Sequence, residues 1–594
     1  MQLTLLDWAI VAAAFAVYLA VGLWAGRSAG RGFEAYFLGD RGQPWWLLGT
    51  SMVATTFATD TPNLVAGIVR EYGAFGNWMW WAFLLSGCVT TFLFARLWRR
   101  SGVLTDVEFY ELRYSGPAAA WLRGFRAAYL GILFNVLIMA NVTLAAIKIG
   151  GVLLGLSPVV SVATAAGITL AYSLAGGLTG VLLTDLVQFA IAMAGSVAAA
   201  AWIVGLPEVG GLAALVAHPQ VAPRLALLPD PAAVPFDALL TAFLLPLGVQ
   251  WWSAYYPGSE PGGGGYVVQR ILAAKNERHA AGAALLFNVM HYAVRPWPWI
   301  LVGFASLVVF PTVESLRLAH PGLDPQYVHH DLAYPAMLAR LPAGLMGLVV
   351  ASLIAAYMST ISTQMNWGSS IVVNDLYTRF LDPQASPARQ VFVGRLATAG
   401  LLVLGCGLAL VMRDAVSTFQ LVLQVGAGTG LLFMVRWFWW RINAAAEIAA
   451  MVVSFLIAAV FFAWQQADPT GAPAAWEQML VGVGATTVAW LAATFLGPPT
   501  DRATLETFVS RVRPGGPGWR EVTARMPAGQ AAAADGDLWI ATLAAVACAV
   551  ATWAVLFAVG LLLYGQVAGC LAAAVAAAAG WLAVRACWSR LTFH

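Results

Sequence analysis

Charge is what this chain has least of. Only 10% of its 594 residues are Asp, Glu, Lys or Arg, against about 25% in soluble globular proteins. A soluble chain of this length would divide into several domains with far more surface charge, so that class is excluded. Lysine is nearly absent: Lys148 and Lys275 stand beside 29 arginines, and the net charge is +3. No polybasic surface for nucleic acid follows from that balance. The five cysteines (Cys88, Cys406, Cys548, Cys570, Cys587) lie inside apolar runs, and none forms a Cys-x-x-Cys pair. A disulfide framework and a thiolate zinc site are thereby disfavoured. No Gly-Lys dipeptide occurs, so the Walker A loop of a primary pump is missing.

What the chain has is apolar length. Sixty per cent of it is hydrophobic, in continuous runs of about 20 residues, as membrane-spanning helices require. The runs do not alternate every second residue, which argues against a β-barrel. The expected fold is an all-α integral membrane protein. About fifteen candidate spans lie near 5–26, 45–71, 77–98, 124–155, 157–178, 180–205, 236–269, 279–311, 341–371, 391–412, 415–435, 442–465, 476–496, 538–564 and 567–588. The first carries Asp7, has no basic residue before it and is followed by Arg27 and Arg31. That is the reverse of a signal peptide, so this segment reads as a retained span with the N-terminus outside. Carried along fifteen spans, this orientation puts 24 of the 31 Lys and Arg residues inside and five outside. The C-terminus is then cytoplasmic, and the expected location is a cell membrane, the inner one in a bacterium.

Two spans are interrupted. The second contains Ala54-Thr55-Thr56-Phe57-Ala58-Thr59-Asp60-Thr61-Pro62-Asn63, and the seventh contains Tyr255-Tyr256-Pro257-Gly258-Ser259-Glu260-Pro261 followed by four glycines. Each opens a block of five spans. Broken helices at matching positions of two halves point to a transporter built from inverted repeats. A proline kink with a long loop is the plainer reading. The expected division is a first span and loop (1–43), a first repeat (44–205), an extracellular loop (206–235), a second repeat (236–437), and accessory spans (438–594). The last part includes a cytoplasmic loop, 498–536, with a short amphipathic helix around Thr504–Val512.

In the ninth span Ser359, Ser362 and Thr363 fall at i, i+3 and i+4, so their hydroxyls share one helix face, with Thr360 beside them. Small hard cations are bound by such oxygens. Hydroxyls in membrane helices also bond back to their own backbone, and spacing alone favours that use. Intramembrane charges are functional by default, which singles out Asp60, Asp185 and Arg295. Lys148 reads as a snorkelling end residue, Arg70 and Glu71 as an exposed pair, and Arg436 to Arg441 as an interfacial aromatic anchor. His329-His330-Asp331, in an outer excursion at 312–340, has metal-binding composition, but a solvated loop is the simpler reading. Gly26-Arg27-Ser28-Ala29-Gly30 matches a nucleophile-elbow pattern without the strand-turn-helix that gives it meaning.

Several stretches together resemble the sodium:solute symporter family, whose members carry sugars, proline, sialic acid or iodide. They are Tyr36 to Arg41 with Pro44-Trp45-Trp46, Tyr172 to Leu178 through Thr184-Asp185 and Gln188, Gln269-Arg270 with Ala273-Ala274-Lys275, and Met358-Ser359-Thr360 through Asn374 to Tyr377. The resemblance implies a five-plus-five inverted-repeat core of the leucine-transporter type with flanking helices, and no enzymatic activity. It implies one Na⁺ site at the Ala54, Phe57 and Ala356 carbonyls and the Ser359 and Thr360 hydroxyls. A second would use Asp185, Ser359, Ser362 and Thr363. Substrate candidates are Thr56, Asp60, Thr61, Ser253, Tyr256, Arg295, Gln420 and Gln424. Na⁺ is then the coupling ion, with no organic cofactor; the partners are the bilayer and a small organic solute, and the monomer is the working unit. An H⁺-coupled carrier and a transporter-derived solute sensor are the competing functions. Departures from the sugar carriers leave the solute open: the insertion at 257–265, Thr56 where some relatives carry an acid or amide, and Tyr292 with nearby Arg295 in place of a basic residue.

Overall fold

Fifteen apolar windows can be buried from water only against lipid or one another, and both solutions occur. The computed structural model describes residues 3–26, 32–254, 258–412, 426–468, 470–527 and 536–594. Among them the secondary structure is helical, with one isolated bridge between Gln43 and Ala274. Among the described residues, eleven helices are long and apolar enough to cross a membrane. The elements used below are α1 (Leu5–Gly26), α2 (Trp45–Thr56), α3 (Asp60–Tyr72), α4 (Ala74–Ser101), α5 (Gly116–Leu154), α6 (Pro158–Val204) and α7 (Gly265–Leu272). They continue with α8 (Glu277–Val309), α9 (Leu345–Leu381), α10 (Pro387–Ala409), α11 (Ala444–Ala467), α12 (Ala475–Leu496), α13 (Leu538–Leu563) and α14 (Val567–Trp588).

Of the other four windows, three are not simple rods. Window 45–71 is the broken pair α2 and α3. Window 157–178 is the first half of α6, which bends at Gly177. Window 236–269 is a series of short helical turns followed by α7, with 255–257 outside the described residues. Most of window 415–435 lies outside them too. Gly177 has φ 52° and ψ −164°, and a Cβ there would come within 2.8 Å of the Tyr36 carbonyl oxygen. Both the dihedral and the close approach require glycine.

The centre is built from α2, α6, α8 and α9, with α1 laid against α6 and α9, and α3 against the second half of α8. Gly49 allows the contact between α2 and α8, since a Cβ there would lie 2.8 Å from the Ala283 carbonyl oxygen. The α13–α14 hairpin sits at the periphery. Leu571, Val575 and Leu582 of α14 are exposed apolar side chains, the pattern of a lipid-facing surface. Between α12 and α13, the Arg502–Val512 helix buries Leu505, Phe508, Val509 and Val512. The expected amphipathic helix is therefore present, and it is packed against the bundle.

Candidate functional site

Phe57, at φ −85° and ψ 61°, ends α2, and α3 begins three residues later with Asp60 in its first turn and Pro62 where no backbone donor is needed. Carbonyls released by the break find side-chain donors. Thr360 Oγ1 of α9 donates to the Thr55 carbonyl at 2.7 Å, with the Ala356 carbonyl of its own helix 3.1 Å away. Thr61 Oγ1 donates to the Thr56 carbonyl, 3.2 Å. The Phe57 N–H closes the last turn on Val53 and Ala54, at 2.9 and 3.1 Å. Ala54, Phe57, Ala356, Ser359 and Thr360 are all buried, and α9 joins the broken segment through Thr360.

One residue earlier on α9, Ser359 Oγ donates to Asp185 Oδ1 at 2.7 Å. Ser51 Oγ donates to Asp185 Oδ2, and Arg270 Nε lies 3.3 Å from the same serine oxygen. Arg270 Nη2 donates to Thr363 Oγ1 at 2.7 Å, and Thr55 Oγ1 lies 3.0 Å from that oxygen. Asp185 and Arg270 are both wholly buried, yet the described contacts between them pass through Ser51 rather than a direct ion pair. Ser362 Oγ donates back to the Ser359 carbonyl, 3.0 Å, the local use that spacing favours. Ser51 and Arg270 were not among the expected site residues. Arg270 stood in a recognised motif, but nothing in its spacing revealed that α7 would carry it to Asp185.

Beside the break is a cavity of about 110 Å³ lined by Thr56, Asp60, Thr61 and Arg295, with Asn141, His291 and Gln364 not foreseen. Asn141 Nδ2 donates to Asp60 Oδ2 at 2.8 Å. Arg295 Nη1 donates to Thr56 Oγ1 at 3.1 Å, and His291 Nδ1 lies 3.0 Å from the same oxygen. A wide π-type turn, Met290–Val294, carries His291 and Tyr292 to the wall, a device common at functional sites. Tyr292 contacts Ser259 at 2.9 Å. Ser253 is buried but does not line this cavity. Tyr256, Gln420 and Gln424 lie outside the described residues.

Other charges differ from expectation. Lys148 does not snorkel: its ammonium pairs with Asp331 at 2.8 Å, both buried. The 312–340 excursion is therefore docked at Asp331, and among the described residues no cluster of three His, Cys, Asp or Glu side chains could hold a metal. Arg70 is buried and donates to the Ser306 and Phe310 carbonyls at 2.9 and 2.8 Å. Arg436 is also internal, paired with Glu447 at 3.1 Å and set over the Phe109 ring at 4.5 Å. These three readings fail for one reason: hydropathy shows where a charge sits along the chain, not which neighbour meets it.

The model of the family described as "Sodium:solute symporter family" matches residues 36–454. A sodium/glucose cotransporter of Vibrio parahaemolyticus is 26% identical over 473 residues, 76% of this chain and 84% of the relative. A sodium/mannose cotransporter of Bos taurus is 28% identical over 508 residues, 82% and 79% of the two chains. Among solved structures, a substrate-bound, outward-open Na⁺-coupled sialic acid symporter superposes with a TM-score of 0.67 at 20% identity, over 84% of this chain and 99% of that one. The fold is thus that of a known membrane transporter, and the chain belongs to the sodium:solute symporter family.

Proposed function

We propose that this protein is a Na⁺-coupled symporter that imports a small organic solute by alternating access. The observation that carries the reading is the Thr360 hydroxyl bound to the Thr55 carbonyl across the α2–α3 break, next to Ser359 bound to Asp185. Hydroxyl, carbonyl and carboxylate oxygens are the donors a hard monovalent cation takes. In this proposal Ala54, Phe57, Ala356, Ser359 and Thr360 form the first Na⁺ site. Asp185, Ser359, Ser362 and Thr363 form the second, with Ser51 supporting the carboxylate. The solute occupies the neighbouring cavity, with Thr56, Asp60, Thr61 and Arg295 as contacts and Ser253, Tyr256, Gln420 and Gln424 as further candidates. Each charge carried inward is worth about 2.3 kcal/mol per 100 mV.

The proposed architecture has fifteen spans, with five-plus-five repeats at 44–205 and 236–437 related by inversion. The N-terminus is outside and the C-terminus inside, and a single chain works in a bacterial inner membrane. A proton is the competing ion, because Asp185 is a buried carboxylate in the network. Charge-to-solute ratios at the reversal potential in proteoliposomes separate the two. With two Na⁺ per solute, Asp185→Asn lowers the ratio to one and flattens the Na⁺ dependence. A wild-type ratio of one, unaltered by the substitution and by pH, would remove Asp185 from coupling.

A further inference from the structure

The cavity beside the break has two chemically opposite sides. On one, Asp60 Oδ1, Asn141 Oδ1 and Gln364 Oε1 are closed to water and have no hydrogen-bond partner among the described residues. Their residues come from α3, α5 and α9 and line the same cavity. The Asn141 orientation follows from chemistry: a carboxylate only accepts, so the amide must turn its Nδ2 to Asp60 Oδ2 and present Oδ1 elsewhere. Buried acceptors short of donors are costly unless a ligand or an ordered water supplies the hydrogens, and the Asp60 carboxylate also has the Asp60 and Thr61 N–H groups near it.

The other side is rich in donors. Thr56 Oγ1 donates its one proton to its own helix, with the Val53 carbonyl at 2.9 Å. Arg295 Nη1 donates to that oxygen at 3.1 Å, and His291 Nδ1 lies 3.0 Å from it, in a role its tautomer sets. Both belong to α8. A neutral polyol would match the hydrogen-bond count but not the field across the cavity, which has Asp60 and Arg295 of opposite charge in its walls.

Resting on the symporter reading above, we propose that the solute is a small zwitterion. Its protonated primary or secondary amine is held by Asp60, Asn141 and Gln364, and its carboxylate faces Arg295. A primary ammonium offers three donors to three acceptors and a secondary one offers two. A quaternary amine offers none, so methylated zwitterions are poor ligands.

Thermal shift and uptake by the purified full-length protein test this, with L-alanine, L-proline, glycine betaine, D-glucose and D-mannose as probes in NaCl and in choline chloride. The expected result is that L-alanine or L-proline stabilises the protein and is taken up in Na⁺, while the betaine and the hexoses do neither. Asp60→Asn should weaken amino-acid binding roughly 10- to 150-fold, as for a buried hydrogen bond to charge, with the stabilisation by NaCl alone retained. Gln364→Leu should weaken it less, and Arg295→Gln should weaken amino-acid binding with the stabilisation by NaCl alone retained. A response to hexose and not to amino acids would overturn the assignment. So would amino-acid binding unaltered in both Asp60→Asn and Gln364→Leu, an NaCl response with no amino-acid response, or loss of the NaCl response in Asp60→Asn, which would give these acceptors to the ion. An amino-acid shift independent of Na⁺ would leave the zwitterion assignment standing and count against sodium coupling.

Discussion

Buried charges of opposite sign are brought together both directly and through hydroxyls in this molecule. At Lys148–Asp331 and at Arg436–Glu447, opposite charges meet directly, at 2.8 and 3.1 Å. Tyr114 OH adds a 2.8 Å hydrogen bond to Glu447. At the centre, Asp185 and Arg270 are linked through hydroxyls: Ser51 contacts both, Ser359 holds the carboxylate, and Thr363 holds the guanidinium. A direct pair neutralises its members permanently and ties two helices together. A hydroxyl between charges has one proton and two lone pairs, and rotation lets it donate to a carboxylate or present oxygen to a cation. The direct pairs are braces. The relayed pair has the freedom an ion site needs.

The largest effect should come from breaking a brace. Lys148→Met leaves Asp331 buried without its cation and should cost about 3–5 kcal/mol. Thermal unfolding in detergent would show it, and Lys148→Met with Asp331→Asn should recover much of the loss. A single substitution with no thermal cost would erase the distinction.

At the centre the effect should move from stability to ion dependence. Ser359→Ala with Thr360→Ala removes the two hydroxyls proposed as Na⁺ ligands, with an expected loss of about 2–3 kcal/mol, or roughly 30- to 150-fold in apparent Na⁺ affinity. The unfolding temperature without Na⁺ should change far less than in Lys148→Met. Unchanged Na⁺ dependence in folded protein would exclude these hydroxyls from the site. Thr363→Val comes next. It removes one partner of Arg270, which keeps Gln269 at 2.7 Å, so about 1.5 kcal/mol is expected from denaturation.

The smallest effect concerns the docked outer segment. His330 Nδ1 accepts from Arg70 Nε at 3.4 Å. Burial, then the Arg70 charge and His329, lower its pKa from the ordinary 6.5, with Glu71 and Asp331 opposing. The folded state therefore resists a proton that the unfolded chain takes up. Stability should be full above pH 6.5 and decline as pH falls below it. His330→Gln should flatten that slope in unfolding measurements from neutral to mildly acidic pH, and an equal slope in the variant would assign it to other groups.

Much of this could be read along the chain. The α2–α3 break is announced by four threonines, an aspartate and a proline inside an apolar run, and the α9 hydroxyls by their spacing. The acceptor side of the cavity was half legible. Asp60 stands out as an intramembrane charge, whereas Asn141 and Gln364 are single amides whose helices run beside many others. His291 carried a usable signal, a lone imidazole four residues before an intramembrane arginine. The roles of Ser51 and Arg270 were not legible, because they are 219 positions apart and no period relates them.

By itself the sequence determined the solvent, the element type and the places where helices break. Those follow from local physics: apolar runs of about 20 residues cannot stay in water, and proline or clustered hydroxyls interrupt a hydrogen-bonded helix. The partner of each buried polar group was decided only by tertiary structure. A hydrogen bond acts over about 3 Å, so a rotation or a one-turn slide of one helix would exchange its partners without altering the hydrophobic pattern. That is why Lys148, Arg70 and Arg436 read as surface residues along the chain and lie inside the protein.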